Sequence, residues 1–176
     1  PVAKAFYDRK KPVWGEIELA AHFAKGKIAA ITGTNGKTTT TALVGSILRE
    51  YYKSVFVVGN IGIPFTSVAL DTTEDSVIAA EISSFQLETT IDFQPEVSAV
   101  LNVTPDHLDR HGTMEVYADT KFSISKKQNK EQLDREETVG RDFFPVFLIH
   151  RFDSTTAVGF KIEKNVKENI NPWKKI

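Results

Sequence analysis

The sequence predicts an α/β fold, a mostly parallel sheet flanked by helices, and three observations predict it. Short apolar runs alternate with stretches of helical spacing between residues 27 and 121. Each apolar run is nearly continuous, which marks a strand covered on both faces, and covered sheets of this kind are parallel. Every run also ends in a turn rich in glycine or polar groups, where an open α/β sheet places its ligands.

The elements follow in order. Residues 1–27 are mixed: Tyr7 to Pro12 is polar and basic, and Trp14 to Phe23 predicts a short helix. Lys27 to Thr32 reads as a buried strand that ends in Gly33-Thr34-Asn35-Gly36. From Thr38 to Tyr52, apolar residues at Ala42, Leu43, Ile47 and Leu48 have helical spacing. Ser54 to Val58 is a second strand, closed by Gly59-Asn60-Ile61-Gly62. Ser76 to Ala80 is a third, closed by Glu81-Ile82-Ser83-Ser84. Val97 to Val103 is a fourth, closed by Thr104-Pro105-Asp106-His107, and a helix follows from Met114 to about Lys121. The character then changes near residues 125–140. Lys126 to Glu137 is charge and amide, Phe143 to Ile149 predicts a strand, and Lys164 to Ile176 is basic and polar.

Composition narrows the function classes. A chain of 176 residues is long enough for one substantial core, burying roughly 70% of its unfolded surface. A net charge of -1 gives no strong field toward nucleic acid or an acidic membrane. With no cysteine there is neither a disulfide framework nor a thiolate metal site. No apolar run reaches the roughly 18 residues of a membrane helix, and the first residues lack a signal-peptide pattern. A cytoplasmic enzyme, or part of one, is the expectation. The first residue is Pro rather than Met, which hints at a fragment or a trimmed chain.

Gly33 to Thr38 lies between a predicted strand and a predicted helix, the context that a phosphate loop requires. Its glycines let the backbone N–H groups approach phosphate oxygens, and the helix N-terminus adds a partial positive charge. Lys37 can reach the β- and γ-phosphates, and the Thr38 hydroxyl can ligate Mg²⁺. The first glycine of the general pattern would fall at Ile31 and is absent, so a plain strand-to-helix turn with an exposed lysine is the alternative. Asn60, Glu81 and His107 follow three other strands at the same kind of end. Glu81 could hold a Mg²⁺, which prefers hard oxygen ligands, or be a solvated loop carboxylate. Imidazole is a poor Mg²⁺ ligand, so residue chemistry alone favours a His107 fixed by local hydrogen bonds in the Asp106–Asp109 turn. Asn60 could bind a ligand through its amide or sit in a turn with positive φ. Asp106, Asp109 and Arg110 could simply pair with one another.

Four segments together resemble the Mur ligases. Ile31-Thr32-Gly33-Thr34-Asn35-Gly36-Lys37-Thr38-Thr39-Thr40 is similar to that family's ATP loop, which also lacks the first glycine. Val58 to Gly62, Glu81 to Glu88 and Leu101 to His111 resemble the branch that adds D-glutamate to UDP-N-acetylmuramoyl-L-alanine. The resemblance covers roughly residues 12–130. It implies a P-loop NTPase-like central domain of the Mur ligase type. ATP would be held by Gly33, Thr34, Asn35, Gly36, Lys37, Thr38 and Thr39. It implies that Thr38 and Glu81 are magnesium ligands, and that His107 serves a second magnesium, against the plainer reading above. Asn60, Ser83 and Gln86 would contact the muramoyl substrate. Lys121 matches a lysine that the family carbamylates, turning a cation into a metal-binding anion, and a surface helix lysine is the alternative. Catalysis would rest on Lys37, His107 and Lys121. The substrate carboxylate would attack the γ-phosphate, and the amine of D-glutamate would then displace phosphate from the acyl phosphate.

The resemblance further implies a division of the chain. Residues 1–27 would be the tail of an N-terminal UDP-binding domain and a linker, residues 28–130 a partial central domain, and residues 131–176 a divergent tail. The expected partners are UDP-N-acetylmuramoyl-L-alanine and D-glutamate in the full enzyme, with no nucleic acid or membrane and a monomeric state. The chain alone is expected to be inactive. A nucleotide-binding fragment, an inactive remnant and a folylpolyglutamate synthase-like ligase are the alternatives.

Overall fold

The computed structural model describes residues 2–60 and 62–128. The expected parallel α/β architecture is present. Four strands, β1 (Lys27–Thr32), β2 (Val55–Gly59), β3 (Val77–Glu81) and β4 (Val97–Val100), form one sheet in the order β2-β3-β1-β4. All three pairings are parallel. The helices are α1 (Val2–Asp8), α2 (Glu16–Phe23), α3 (Lys37–Tyr51), α4 (Ser84–Leu87), α5 (Leu108–His111) and α6 (Met114–Phe122). Single 3₁₀ turns lie at Phe65–Ser67, Ala69–Asp71 and Ser123–Ser125. The tail strand expected at Phe143–Ile149 and the rest of residues 129–176 lie outside the described residues.

Register decides which side chains share a face. Ala30 lies beside Ala80 and Ser98, and Val58 beside Ala80. This row and the neighbouring Ile28 and Ile78 build the core with Ile17 and Ala20 of α2, Phe65, Ala69, Leu87, Phe93 and Ile124. At roughly 25 cal/mol per Å² of apolar surface buried, burial of this cluster stabilises the sheet. The opposite face carries Ala29, Ala79 and Val57, and α3 lies on it. There the helix comes very close: a Cβ added at Gly45 would fall 2.2 Å from Val57 Cγ2. A residue without a side chain is what permits that approach.

Glu18 of α2 is buried, yet its carboxylate is fully used. Its oxygens accept from the backbone N–H groups of Ile91, Asp92 and Phe93 at 2.8, 3.0 and 3.1 Å. A buried charge of this kind is tolerable only with such partners. It fixes the segment that leads into β4.

Two sequence expectations are corrected. β4 ends at Val100 rather than Val103. Its neighbour β1 has turned into the glycine loop by then, so pairing continues only as single bonds, Leu101 N–H to Thr32 O and Thr34 N–H to Asn102 O, both 2.9 Å. The helices α1, α4 and α5 were not expected; α4 and α5 are one turn each, too short to show a helical period. Among the described residues no helix is long and apolar enough to cross a membrane.

Candidate functional site

All four expected segments leave the sheet at one edge. Ile31 and Gly59 are both level with Glu81, and Ala99 is level with Ile31, so the strand ends meet in one row. The loop after β1, Asn60 after β2, Glu81 closing β3 and the segment after β4 share this carboxyl end.

The glycine loop enters α3 through Gly36, which has φ of 82° as the helix N-cap. No side chain caps the helix there. Its first backbone N–H groups therefore stay available to an anion, and the helix dipole favours one. Lys37 Nζ donates to Gly33 O and Thr34 O, both at 2.9 Å, so the lysine folds over its own loop. Thr38 Oγ1 donates to Glu81 Oε2 at 2.9 Å, and Asn60 Nδ2 donates to Glu81 Oε1 at 3.0 Å. Glu81 is 2% exposed, and these two neighbours orient both of its oxygens. Hydroxyl and carboxylate oxygens side by side are the hard donors that Mg²⁺ takes, so this part of the site fits the metal.

Lys121 comes from α6, and its Nζ donates to the same Gly33 carbonyl at 2.8 Å. The side chain is buried, with the ammonium 4.6 Å from the Tyr117 ring centre. Burial lowers its pKa to about 8, helped by the neighbouring Lys37 charge and opposed by Asp106. It is therefore no surface helix lysine. As an ammonium it does not fit a cation site.

His107 takes the left-handed conformation, with φ of 50°. Its Nε2 lies 3.4 Å from Asp106 Oδ2, its backbone N–H donates to Asp106 Oδ1 at 2.9 Å, and its ring meets Phe85 at 4.9 Å. The Asp106 contacts lie within the turn, and the Phe85 contact comes from α4. Among the described residues no three His, Cys, Asp or Glu side chains gather to hold a metal. Arg110 does not pair with Asp106 or Asp109. It bonds Glu88 at 2.6 Å, which raises its pKa, and its guanidinium lies 5.5 Å from the Phe85 ring centre.

Ser83 and Gln86 form a capping box at the start of α4. Gln86 Oε1 accepts from Ser83 N–H at 2.9 Å and from Ser83 Oγ at 3.0 Å, while Gln86 Nε2 donates to Glu16 Oε2 at 3.0 Å. Sequence reasoning missed Glu16. The S-x-x-Q spacing was readable as a capping box. It also missed His111, which is buried between Ser84 Oγ at 3.0 Å and the rings of Phe85 and Tyr117.

A parallel sheet, a glycine loop opening a helix and a carboxylate at the adjacent strand end define an open α/β domain with polar groups gathered at the carboxyl ends of its strands. Comparison with known proteins narrows this class. Residues 31–139 match the Mur ligase middle domain, and the chain belongs to the Mur ligase family. The match runs past residue 130, about where the motif resemblance ends. The chain is 65% identical over 120 residues to the UDP-N-acetylmuramoylalanine--D-glutamate ligase of Lachnoclostridium phytofermentans, covering 68% of this chain and 26% of that one. It is 58% identical over 148 residues to the protein of the same name from Lachnospira eligens, covering 82% of this chain and 33% of that one. It thus spans about a quarter to a third of these relatives. Among solved structures, MurF from Acinetobacter baumannii is similar at 22% identity and a TM-score of 0.48, over 63% of this chain and 26% of that one.

Proposed function

We propose that this chain is the ATP-binding core of a ligase that joins D-glutamate to UDP-N-acetylmuramoyl-L-alanine in peptidoglycan precursor synthesis. The observation that carries the nucleotide part is the Thr38–Glu81 contact beside the uncapped start of α3. The substrate pair comes from the names of the relatives. ATP would be bound by residues 33–39, with Lys37 leaving the loop carbonyls for the phosphates. Thr38 and Glu81 would hold Mg²⁺, whose chemistry is to neutralise charge on the phosphoryl group. Lys37 would stabilise the same charge by position. Carbamylation of Lys121 would reverse its sign and let it serve a second Mg²⁺ with His107, and a buried amine of lowered pKa is suited to that modification. Asn60, Ser83 and Gln86 would face the muramoyl substrate. Gln86 could do so with the second N–H of its Nε2, the first being given to Glu16.

We read residues 28–130 as the ATP-binding unit, preceded by the tail of a UDP-binding domain and followed by a divergent segment. The protein would work in the cytoplasm as a monomer, without nucleic acid or membrane. Ligation by the isolated chain is not expected. The test is a calorimetric titration of MgATP into the 176-residue chain and into Lys37→Ala. Saturable binding that the substitution abolishes supports the reading. Equal binding by both, or none by either, overturns it.

A further inference from the structure

We propose that Asn102 is a positioning residue that gives the phosphate loop its shape, its side-chain amide standing in for the next peptide group of β4. The inference rests on the phosphate-loop reading and extends it to a residue outside the loop. Past Val100 the β1–β4 ladder continues through Leu101 N–H to Thr32 O and Thr34 N–H to Asn102 O, both 2.9 Å. At the next step the two backbones diverge. There Asn102 Oδ1 accepts from Asn35 N–H at 2.9 Å, and Asn102 Nδ2 donates to Asn35 O at 3.0 Å. A carboxamide has the donor and acceptor of a peptide group, and this pair of bonds uses both. An aspartate could not make the second bond, and an aliphatic side chain could make neither.

Two further observations place the loop against the same segment. A Cβ on Gly33 would lie 3.0 Å from Leu101 Cβ and 3.3 Å from Asn102 N, so the loop backbone is pressed onto the exit of β4. Thr34 Oγ1 accepts from Thr104 N–H at 3.0 Å and lies 3.2 Å from Thr104 O and from Tyr117 Oη. Asn35 is the residue before Gly36, whose left-handed φ of 82° starts α3. Fixing the Asn35 peptide at both its N–H and its C=O therefore fixes the direction from which the first N–H groups of α3 point. The general pattern's first glycine is replaced by Ile31, buried in β1, and the loop is shaped instead from the neighbouring strand.

The experiment uses the full 176-residue chain and two variants, Asn102→Ala and Gln128→Ala. Gln128 anchors the same strand at its other end, bonding Ser98 Oγ at 2.8 Å and Pro95 O at 3.2 Å, so it controls for general weakening of β4. Amide hydrogen exchange is read at Asn35 and Ile31, and MgATP affinity by calorimetry. In the parent, the Asn35 amide should be protected although the residue is exposed. In Asn102→Ala it should exchange roughly tenfold faster with Ile31 unchanged, and MgATP should bind roughly tenfold more weakly, the size expected from losing one or two hydrogen bonds. Gln128→Ala should keep both. An unprotected Asn35 amide in the parent overturns the proposal without any variant. So does faster exchange in Asn102→Ala with unchanged affinity. A parent that binds no MgATP defeats the phosphate-loop reading instead, and Asn35 exchange then still decides whether Asn102 shapes the loop.

Discussion

The two faces of the sheet have different composition and different duties. One carries Ile28 and Ile78 beside Ala30 and Ala80, and large groups from outside the sheet, Ile17, Phe65 and Phe93, pack on it. The other carries Ala29, Ala79 and Val57 beneath Gly45 of α3, where the helix comes close, and it ends in Glu81, which meets Thr38 of that helix. A thick apolar layer holds the strands, and a thin one aims a helix N-terminus at the row of strand ends. Stability and binding should therefore separate by face.

The comparison can be broken in four ways, in order of expected loss of stability. Ile78→Ala, at a fully buried site, should cost about 2–5 kcal/mol in urea unfolding, while the folded fraction keeps its MgATP affinity. Glu18→Ala leaves three backbone N–H groups without their acceptor and should cost roughly 1–3 kcal/mol, again without touching affinity. Gly45→Ala pushes α3 off Val57. The overpacking cost of about 1–3 kcal/mol is offset in part by the roughly 1 kcal/mol that Ala gains over Gly in a helix, so a net loss near 1 kcal/mol is expected. This variant should also weaken MgATP binding, because the helix start moves with the helix. If it lowers stability alone, the thin face does not aim the site. Thr38→Val should change stability by no more than about 1 kcal/mol, the worth of one hydrogen bond, yet remove most of the gain in ATP affinity that Mg²⁺ confers. Calorimetry with and without Mg²⁺ measures that gain.

A fifth test uses pH. Lys121 titrates near 8 in the fold, below its ordinary 10.5. The unfolded chain therefore binds more protons between these values, and stability should rise with pH across that window. Below about 8 the buried ammonium opposes folding to its full extent. Lys121→Met should flatten the slope between pH 8 and 10.5. An unchanged slope would show that Lys121 is not the group responsible.

Much of the fold was legible because its strands are apolar and its turns are not. β1 is found with its predicted limits, and β2 and β3 shift by one residue. That Glu81 and the glycine loop share one end of the sheet was legible too, since parallel strands carry both there. What stayed hidden depends on side chains reaching across long stretches of sequence. Asn102 meets Asn35 over 67 residues, and Glu16 meets Gln86 over 70, with no periodicity to announce either pair. For Lys121 the surface-lysine alternative stayed open in the sequence because α6 is short and nearly without an apolar side; its bond to the glycine loop and its contact with Tyr117 show it buried.

The strand order has a consequence for synthesis. β1 and β2 never touch each other; both pair with β3, which is made last of the three. As the chain leaves the ribosome, about fifty residues must follow β1 before its first partner exists. At the usual 5–20 residues per second this is a wait of roughly 2–10 s, long compared with hydrophobic collapse. During that interval two apolar segments stand without a strand partner. The arrival of Val77–Glu81 is then the event that makes a sheet possible at all, and a translational pause just before it would prolong the exposure that chaperones exist to cover.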